Sequence, residues 1–259
     1  MHPQKSACWE YPRIENWEDF ESKTEEICEL LEKAEDLAAQ NVHLESVDEK
    51  TGVQALERNA PTIEMRSGLD ERREFEYTRH GTWCLIGNLE VASGKLVHYT
   101  IGLTRTEEDF ARHIAERLRT DPKGEWIFLL DNLNTHKSES LVVLTAKHLD
   151  LPLDSLGEKG KSGVLKSMES RQAFLEDKTH SVRFVYTPKH CSWLNPIENW
   201  FGILEKKALK RGNFKSLEDL KSKIIRFIEY YNTLSKAFKW KAKAEGIIKK
   251  MKSVLGIAI

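Results

Sequence analysis

Trp126-Ile127-Phe128-Leu129-Leu130-Asp131-Asn132 is an unbroken apolar run that stops at an acid. Five apolar residues without alternation predict a strand buried on both faces, as in a central parallel strand. Asp121-Pro122-Lys123-Gly124 breaks the chain just before it, and a helix is predicted just after, over 138–149. Upstream, Phe110, Ile114 and Leu118 recur every four residues, which predicts a helix over 106–120 with Thr106 as its cap. Before that, Glu74 to Gly102 reads as strands. Trp83–Gly87 and Leu96–Ile101 flank the turn Ala92-Ser93-Gly94-Lys95. A short strand is predicted from Asn41 to Val47, ending at Asp48. The polar stretch 50–72, with Pro61 and two glycines, reads as loop.

Downstream, residues 150–180 are rich in Gly, Ser and Lys and read as an inserted, partly ordered excursion. Val182–Tyr186 is a strand and Pro188–Asn195 a loop. Pro196 opens a helix to about Leu209, and another spans Leu217–Tyr231. The order is strand, hairpin, helix, strand, helix, strand, helix. It predicts an α/β fold, a mixed sheet flanked by helices on both faces, in the order of a ribonuclease-H-like domain. That domain is assigned to residues 41–235, with 150–180 as its polar insertion. An acidic helical segment, 1–40, precedes it, with Phe20, Ile27, Leu30, Leu31, Ala34 and Leu37 on one face. A basic tail, 236–259, follows.

At 259 residues, 40% hydrophobic and 31% charged, the chain suits one large soluble domain with small appendages. No stretch approaches a membrane span and the start does not resemble a signal peptide. Cys8, Cys28, Cys84 and Cys191 are scattered, which argues against a zinc site or disulfide framework and for a reducing cytoplasm. The net charge of −1 conceals an asymmetry. From Ile203 onward there are 15 Lys and Arg against 5 Asp and Glu. A basic third beside an acidic body is what a phosphate-binding face requires, although a solvated lysine-rich helix surface gives the same count.

Three carboxylates fall at telling positions. Asp48 and Asp131 end predicted strands, and Glu198 lies in the first turn of the helix after the last strand. Ligand sites of open α/β sheets form at the carboxyl ends of strands. Phosphodiester hydrolysis and strand transfer need charge neutralised on the phosphate and an activated oxygen nucleophile. Two Mg²⁺ or Mn²⁺ ions roughly 3.5–4 Å apart supply both, held by oxygen ligands. In this reading Asp48 bridges the ions, Asp131 holds one and Glu198 the other. Each acid also has a plainer explanation. Asp48 begins a turn, with Glu49 an equally available acid beside it. Asp131-Asn132 starts a loop. Asn195-Pro196-Ile197-Glu198 matches a capping box.

The surrounding residues favour the catalytic explanation. Ser46-Val47-Asp48-Glu49-Lys50-Thr51-Gly52, Leu130-Asp131-Asn132-Leu133-Asn134-Thr135-His136-Lys137-Ser138 and Tyr186-Thr187-Pro188-Lys189-His190-Cys191-Ser192-Trp193-Leu194-Asn195-Pro196-Ile197-Glu198-Asn199-Trp200-Phe201 occur in that order. Together they resemble the transposases of the insertion sequence 630 family, in the mariner superfamily, over about residues 40–240. The resemblance implies a ribonuclease-H-like DDE endonuclease domain that uses Mg²⁺ for cut-and-paste movement of a DNA element. It carries the catalytic and metal-binding triad onto Asp48, Asp131 and Glu198. Two departures stand out. Sixty-six residues separate Asp131 from Glu198, more than in most mariner relatives, and the 150–180 excursion accounts for the excess. Full-length relatives also carry N-terminal helix-turn-helix domains. Here the residues through Glu45 hold 12 Asp and Glu against 4 Lys and Arg, which is unsuited to DNA. The chain therefore reads as a catalytic part alone: a fragment, one frame of a split gene, or a decayed copy.

Candidate DNA contacts are Lys189, His190 and Trp193 before Glu198, and Lys206, Lys207, Lys210 and Arg211 after it. Trp193 equally suits packing beneath its loop. His136 is read as a capping or packing residue more than a substrate contact. Trp200, Phe201 and Leu204 are read as core, and Arg79 and His80 lie near a sheet edge. The expected partners are double-stranded DNA at element ends and target, a separate helix-turn-helix polypeptide and a second copy of the chain, on the nucleoid. The competing functions are a non-catalytic DNA-binding or interaction remnant and a host ribonuclease-H-like nuclease. The Asn-Pro-Ile-Glu helix entry favours transposase over the latter.

Overall fold

The structure is a computed structural model that describes residues 14–237 and 239–256. The apolar run forms strand β4, Glu125–Leu130. Trp126, Phe128 and Leu130 point to one face, Ile127 and Leu129 to the other, and all five are buried. β4 lies parallel between β1 (Val42–Arg58) and β5 (Val182–Tyr186). β1 pairs antiparallel with β2 (Tyr77–Glu90), and β2 with β3 (Leu96–Gly102). The sheet order β3-β2-β1-β4-β5 is the mixed sheet expected from the element order.

Helices α3 (Glu107–Leu118), α4 (Glu139–His148) and α5 (Met168–Leu175) cover one face. Thr106 caps α3 in a capping box with Asp109, and Ser138 caps α4. On the other face, α6 (Pro196–Leu204) and α7 (Leu217–Leu234) cover the antiparallel half. Helices α1 (Trp17–Glu32), α2 (Ala34–Ala39) and α8 (Ala244–Val254) cover the parallel half. The predicted apolar stripe is used there, divided between two helices: Phe20, Ile27 and Leu31 of α1 and Ala34 of α2 are buried in one cluster with Leu44, Ile127 and Val185. Residues 1–13, Phe238 and 257–259, parts of the predicted acidic segment and basic tail, lie outside the described residues.

Two local expectations are corrected. β1 does not end at Asp48 but continues to Arg58, paired with β2. A bulge between Lys50 and Val53 interrupts the ladder, with Gly52 at φ 64°, and absorbs the residues that looked like a loop. Beyond it, Val53 and Ala55 are buried while Gln54 is exposed, the alternation of a one-sided strand. Residues 150–180 are also more ordered than predicted. They form two 3₁₀ turns, Leu153–Leu156 and Val164–Lys166, and helix α5, and they bury Leu156, Leu165 and Leu175 in the core beneath α4.

Candidate active site

The register brings two of the acids together. Ser46 pairs with Leu129 in the parallel ladder, so two residues further along each strand Asp48 and Asp131 stand side by side. β4 stops there, while β1 continues alone with β2. Alternation puts Ser46 and Asp48 on the face covered by α6, and Val47 and Glu49 on the face covered by α3.

Asn195 fixes the entry of α6. The predicted capping box does not form: Asn195 makes no side-chain cap. Instead its amide nitrogen donates to the Val47 carbonyl at 3.1 Å, and its oxygen accepts from the Ser46 hydroxyl, all fully buried. The same hydroxyl oxygen accepts from the Ile197 amide at 2.8 Å. α6 is thus bonded to β1 immediately beside Asp48. Gly87, opposite Asp48 in the antiparallel ladder, permits the close approach. A Cβ there would stand 3.1 Å from Leu96 and 3.3 Å from Ile197. Glu198, one residue on, is left exposed in the first turn with no hydrogen bond to cap.

The electrostatics match a site built for cations. Burial first, and then the charge of Asp131, push Asp48 up to about 7. The same two causes raise Glu198, with Lys50 opposing them. Asp131 is held below the usual carboxylate range: burial would raise it, but hydrogen bonds and charge from His136 prevail. Burial would lower His136, yet Asp131 and Glu49 push it up to about 10. Oδ1 of Asp48 accepts from the Glu49 amide at 2.7 Å, and Oδ1 of Asp131 from the Leu133 amide at 2.8 Å. Neither Oδ2 is used in a hydrogen bond among the described residues. Two hard oxygen donors kept clear, side by side and mutually repelling, fit a divalent cation. As the side chains stand, no cluster of three or more His, Cys, Asp or Glu that could hold an ion occurs among the described residues.

Sequence reasoning missed the partners of His136. Its ring is fully buried and packs on Phe110 at 4.4 Å, as the packing reading expected, but both nitrogens also face carboxylates. Neighbouring bonds brace the loop. Lys137 Nζ donates to Asn132 at 2.6 Å, and the Tyr186 hydroxyl to the His136 carbonyl at 2.6 Å. Only the helical start of 134–137 was available as a signal, and it does not identify partners on β1.

The candidate DNA contacts are all exposed but do not share one patch. Lys189 and His190 line a groove with the start of α1, where Lys189 lies 3.8 Å from Glu15. Trp193, 42% exposed, lines an apolar groove with Lys243, Ile247 and Lys250 of the α8 region. Lys206 and Lys207 ride on a π-helical turn, Glu205–Leu209, which continues α6. Lys207 faces Lys223 and Arg226 of α7, and Lys210 faces the β1–β2 ribbon. His80 is paired with Glu57 at 2.8 Å, and Arg79 bonds the Tyr77 hydroxyl at 3.1 Å. Trp200, Phe201 and Leu204 are core, as read.

The sheet order, with Asp48 within β1 beside Asp131 at the end of β4, is that of a ribonuclease-H-like domain. The chain belongs to the DDE superfamily endonuclease family, whose model matches residues 43–221. No curated protein matches its sequence. Among solved structures it is similar to the Mos1 mariner paired-end complex with Mn, at 14% identity and a TM-score of 0.52, over 98% of this chain and 66% of that one. It is likewise similar to the Mos1 strand transfer complex, at 15% identity and 0.52, over 98% and 65%. At this identity the likeness concerns the fold. The chain spans about two thirds of the Mos1 chains' length.

Proposed function

We propose that the chain is the catalytic part of a mariner-type DDE transposase, of the kind represented by the insertion sequence 630 family, with Asp48, Asp131 and Glu198 as its catalytic and metal-holding residues. The observation that carries this is that Asp48 and Asp131 each lie two residues beyond the last ladder pair of β1 and β4, Ser46 with Leu129, each with Oδ2 clear, inside a DDE endonuclease domain. Bound Mg²⁺ or Mn²⁺, two ions in this reading, would neutralise the scissile phosphate and lower the pKa of a water or hydroxyl nucleophile. Asp48, within β1, and Asp131, just past the end of β4, would hold the ions. Glu198 closes from the first turn of α6, whose entry is bonded to Ser46 and Val47. The substrate is double-stranded DNA at element ends and target, met by Lys189, His190, Trp193, Lys206, Lys207, Lys210 and Arg211. The fold match to a paired-end complex and a strand transfer complex supports that choice. A homodimer, a separate helix-turn-helix polypeptide and action on the nucleoid complete the proposal. No helix among the described residues is long and apolar enough to cross a membrane.

The test is nicking of supercoiled DNA with Mg²⁺ or Mn²⁺. Asp131→Asn keeps the side chain's shape and removes the charge. It should abolish nicking while the protein still unfolds cooperatively, at a lower temperature than wild type because Asp131 also pairs with the buried His136. A variant that cuts at the wild-type rate overturns the assignment. Affinity for duplex DNA should fall steeply with salt, because counterion release supplies it. Scrambled and terminal-repeat DNA should bind alike.

A further inference from the structure

We propose that His136 and Glu49 are positioning residues for Asp131, together forming a buried carboxylate–imidazole–carboxylate chain that fixes one oxygen of Asp131 and aims the other at the metal. The inference rests on the proposed role of Asp131 as a metal ligand. His136 Nδ1 lies 2.8 Å from Asp131 Oδ1 and Nε2 lies 3.0 Å from Glu49 Oε2. Each ring nitrogen thus faces one carboxylate, and the imidazole bridges the two acids. The His136 side chain is fully buried and that of Glu49 is 1% exposed, while Asp131 is 31% exposed. The chain therefore leads from the interior to the one member that faces outward.

Three features make this more than an internal ion pair. The Leu133 amide and His136 Nδ1 both reach the same oxygen, Oδ1, at 2.8 Å each. The Leu133 hydrogen bond and the close imidazole hold this oxygen, while Nδ1 also reaches the Asp131 backbone carbonyl at 3.4 Å. The imidazole is itself immobilised, against the Phe110 ring at 4.4 Å and through its carbonyl, which accepts from the Tyr186 hydroxyl at 2.6 Å. Glu49 lies next to Asp48 on β1 but points to the opposite face of the sheet, so one dipeptide serves both sides of the site. Asp48 approaches from the α6 face, and Glu49 steadies Asp131 from the α3 face through His136. Outer partners of this kind orient a ligand and raise its affinity for metal, and their loss typically weakens metal binding about 10- to 100-fold.

The experiment titrates Mn²⁺ into the full chain and follows the free-ion signal by electron paramagnetic resonance, alongside metal-free melting. His136→Phe keeps a ring against Phe110 and removes both ring nitrogens. It should raise the Mn²⁺ Kd about 10- to 100-fold. Glu49→Gln leaves the imidazole in place and weakens its anchor. It should raise Kd by a smaller factor and lower the metal-free melting point, because the buried imidazole loses one of its two anions; the weaker Mn²⁺ affinity, measured well below that melting point, is what a purely structural role would not produce. In nicking assays Glu49→Gln should need more metal ion for half-maximal rate and approach the wild-type rate at saturation. Wild-type Mn²⁺ affinity in both variants overturns the inference. If His136→Phe fails to fold, Glu49→Gln decides alone. If the wild type binds no Mn²⁺, or Asp131→Asn binds it equally well, the metal role of Asp131 fails and the inference falls with it.

Discussion

Asn195 shows how one side chain changes the meaning of a motif. In sequence, Asn-Pro-Ile-Glu reads as a cap and its box partner; in the structure the amide bonds across the core to Ser46 and Val47. The distinction was illegible because the partner lies 149 residues away, whereas a cap is a local pattern. It separates the two residues experimentally. Asn195→Ala strands buried polar groups on Ser46 and Val47 and should cost about 1–3 kcal/mol, read as a lower urea midpoint. It should also slow nicking, because the entry of α6 loosens. Glu198→Gln should leave the midpoint unchanged and abolish nicking. Destabilisation by Glu198→Gln would instead assign Glu198 a structural bond. Asp131 stands out in the sequence because it ends an apolar run, and Asp48 because it follows a short strand signal. Glu49 and His136 were not, since an acid and a histidine with no regular spacing carry no periodic signal.

Among the elements, β4 and its flanking helices were legible because their periodicity and caps are local. The continuation of β1 was hidden by Lys50-Thr51-Gly52, which reads as a break unless the bulge and its partner strand are known. Helix α1 was legible as a helix, but not as a cover for the parallel half of the sheet. Ile27 is fully buried there, so Ile27→Ala should cost about 2–5 kcal/mol in chemical denaturation; a loss below 1 kcal/mol would mean that α1 is not packed as described. Helix α3 carries a different dependence. His113 is fully buried, donates Nε2–H to Asn88 and accepts at Nδ1 from Thr100 at 2.8 Å. Burial and the neighbouring His98 hold it well below the usual imidazole range. Around it stand His98 and Glu116, with Glu45 and Arg117 bonded through Asn88. The unfolded chain therefore binds a proton that the folded one refuses. The contribution of His113 to stability is full above about pH 6.5 and falls as pH drops below it, approaching about 1.4 kcal/mol per unit. His113→Gln should flatten that slope between roughly pH 6.5 and 5; equal slopes in both proteins would contradict it.

At the scale of the whole molecule, the charge asymmetry was legible as a count but not as a surface. The basic third is divided between the α8 flank, the α6–α7 groove and the ribbon edge, a division set by tertiary packing that a linear tally cannot contain. The packing of α8 on α1 has a topological consequence. Lys252, near the end of α8, bonds Glu21 at 2.6 Å and lies 5.8 Å from the ring of Trp17, at the start of α1. The first and last described helices thus lie side by side, with Trp17 and Lys252 at one place. A short flexible linker should join the end of α8 to the start of α1, and new termini can be opened at Gly160, in the exposed turn between Gly157 and Gly163. Such a circular permutant should unfold in one cooperative transition and keep metal-dependent nicking, whereas a permutant without cooperative unfolding would place those ends apart. The sheet and its acids would then be shown to depend on which helices touch, and not on the order in which the chain supplies them.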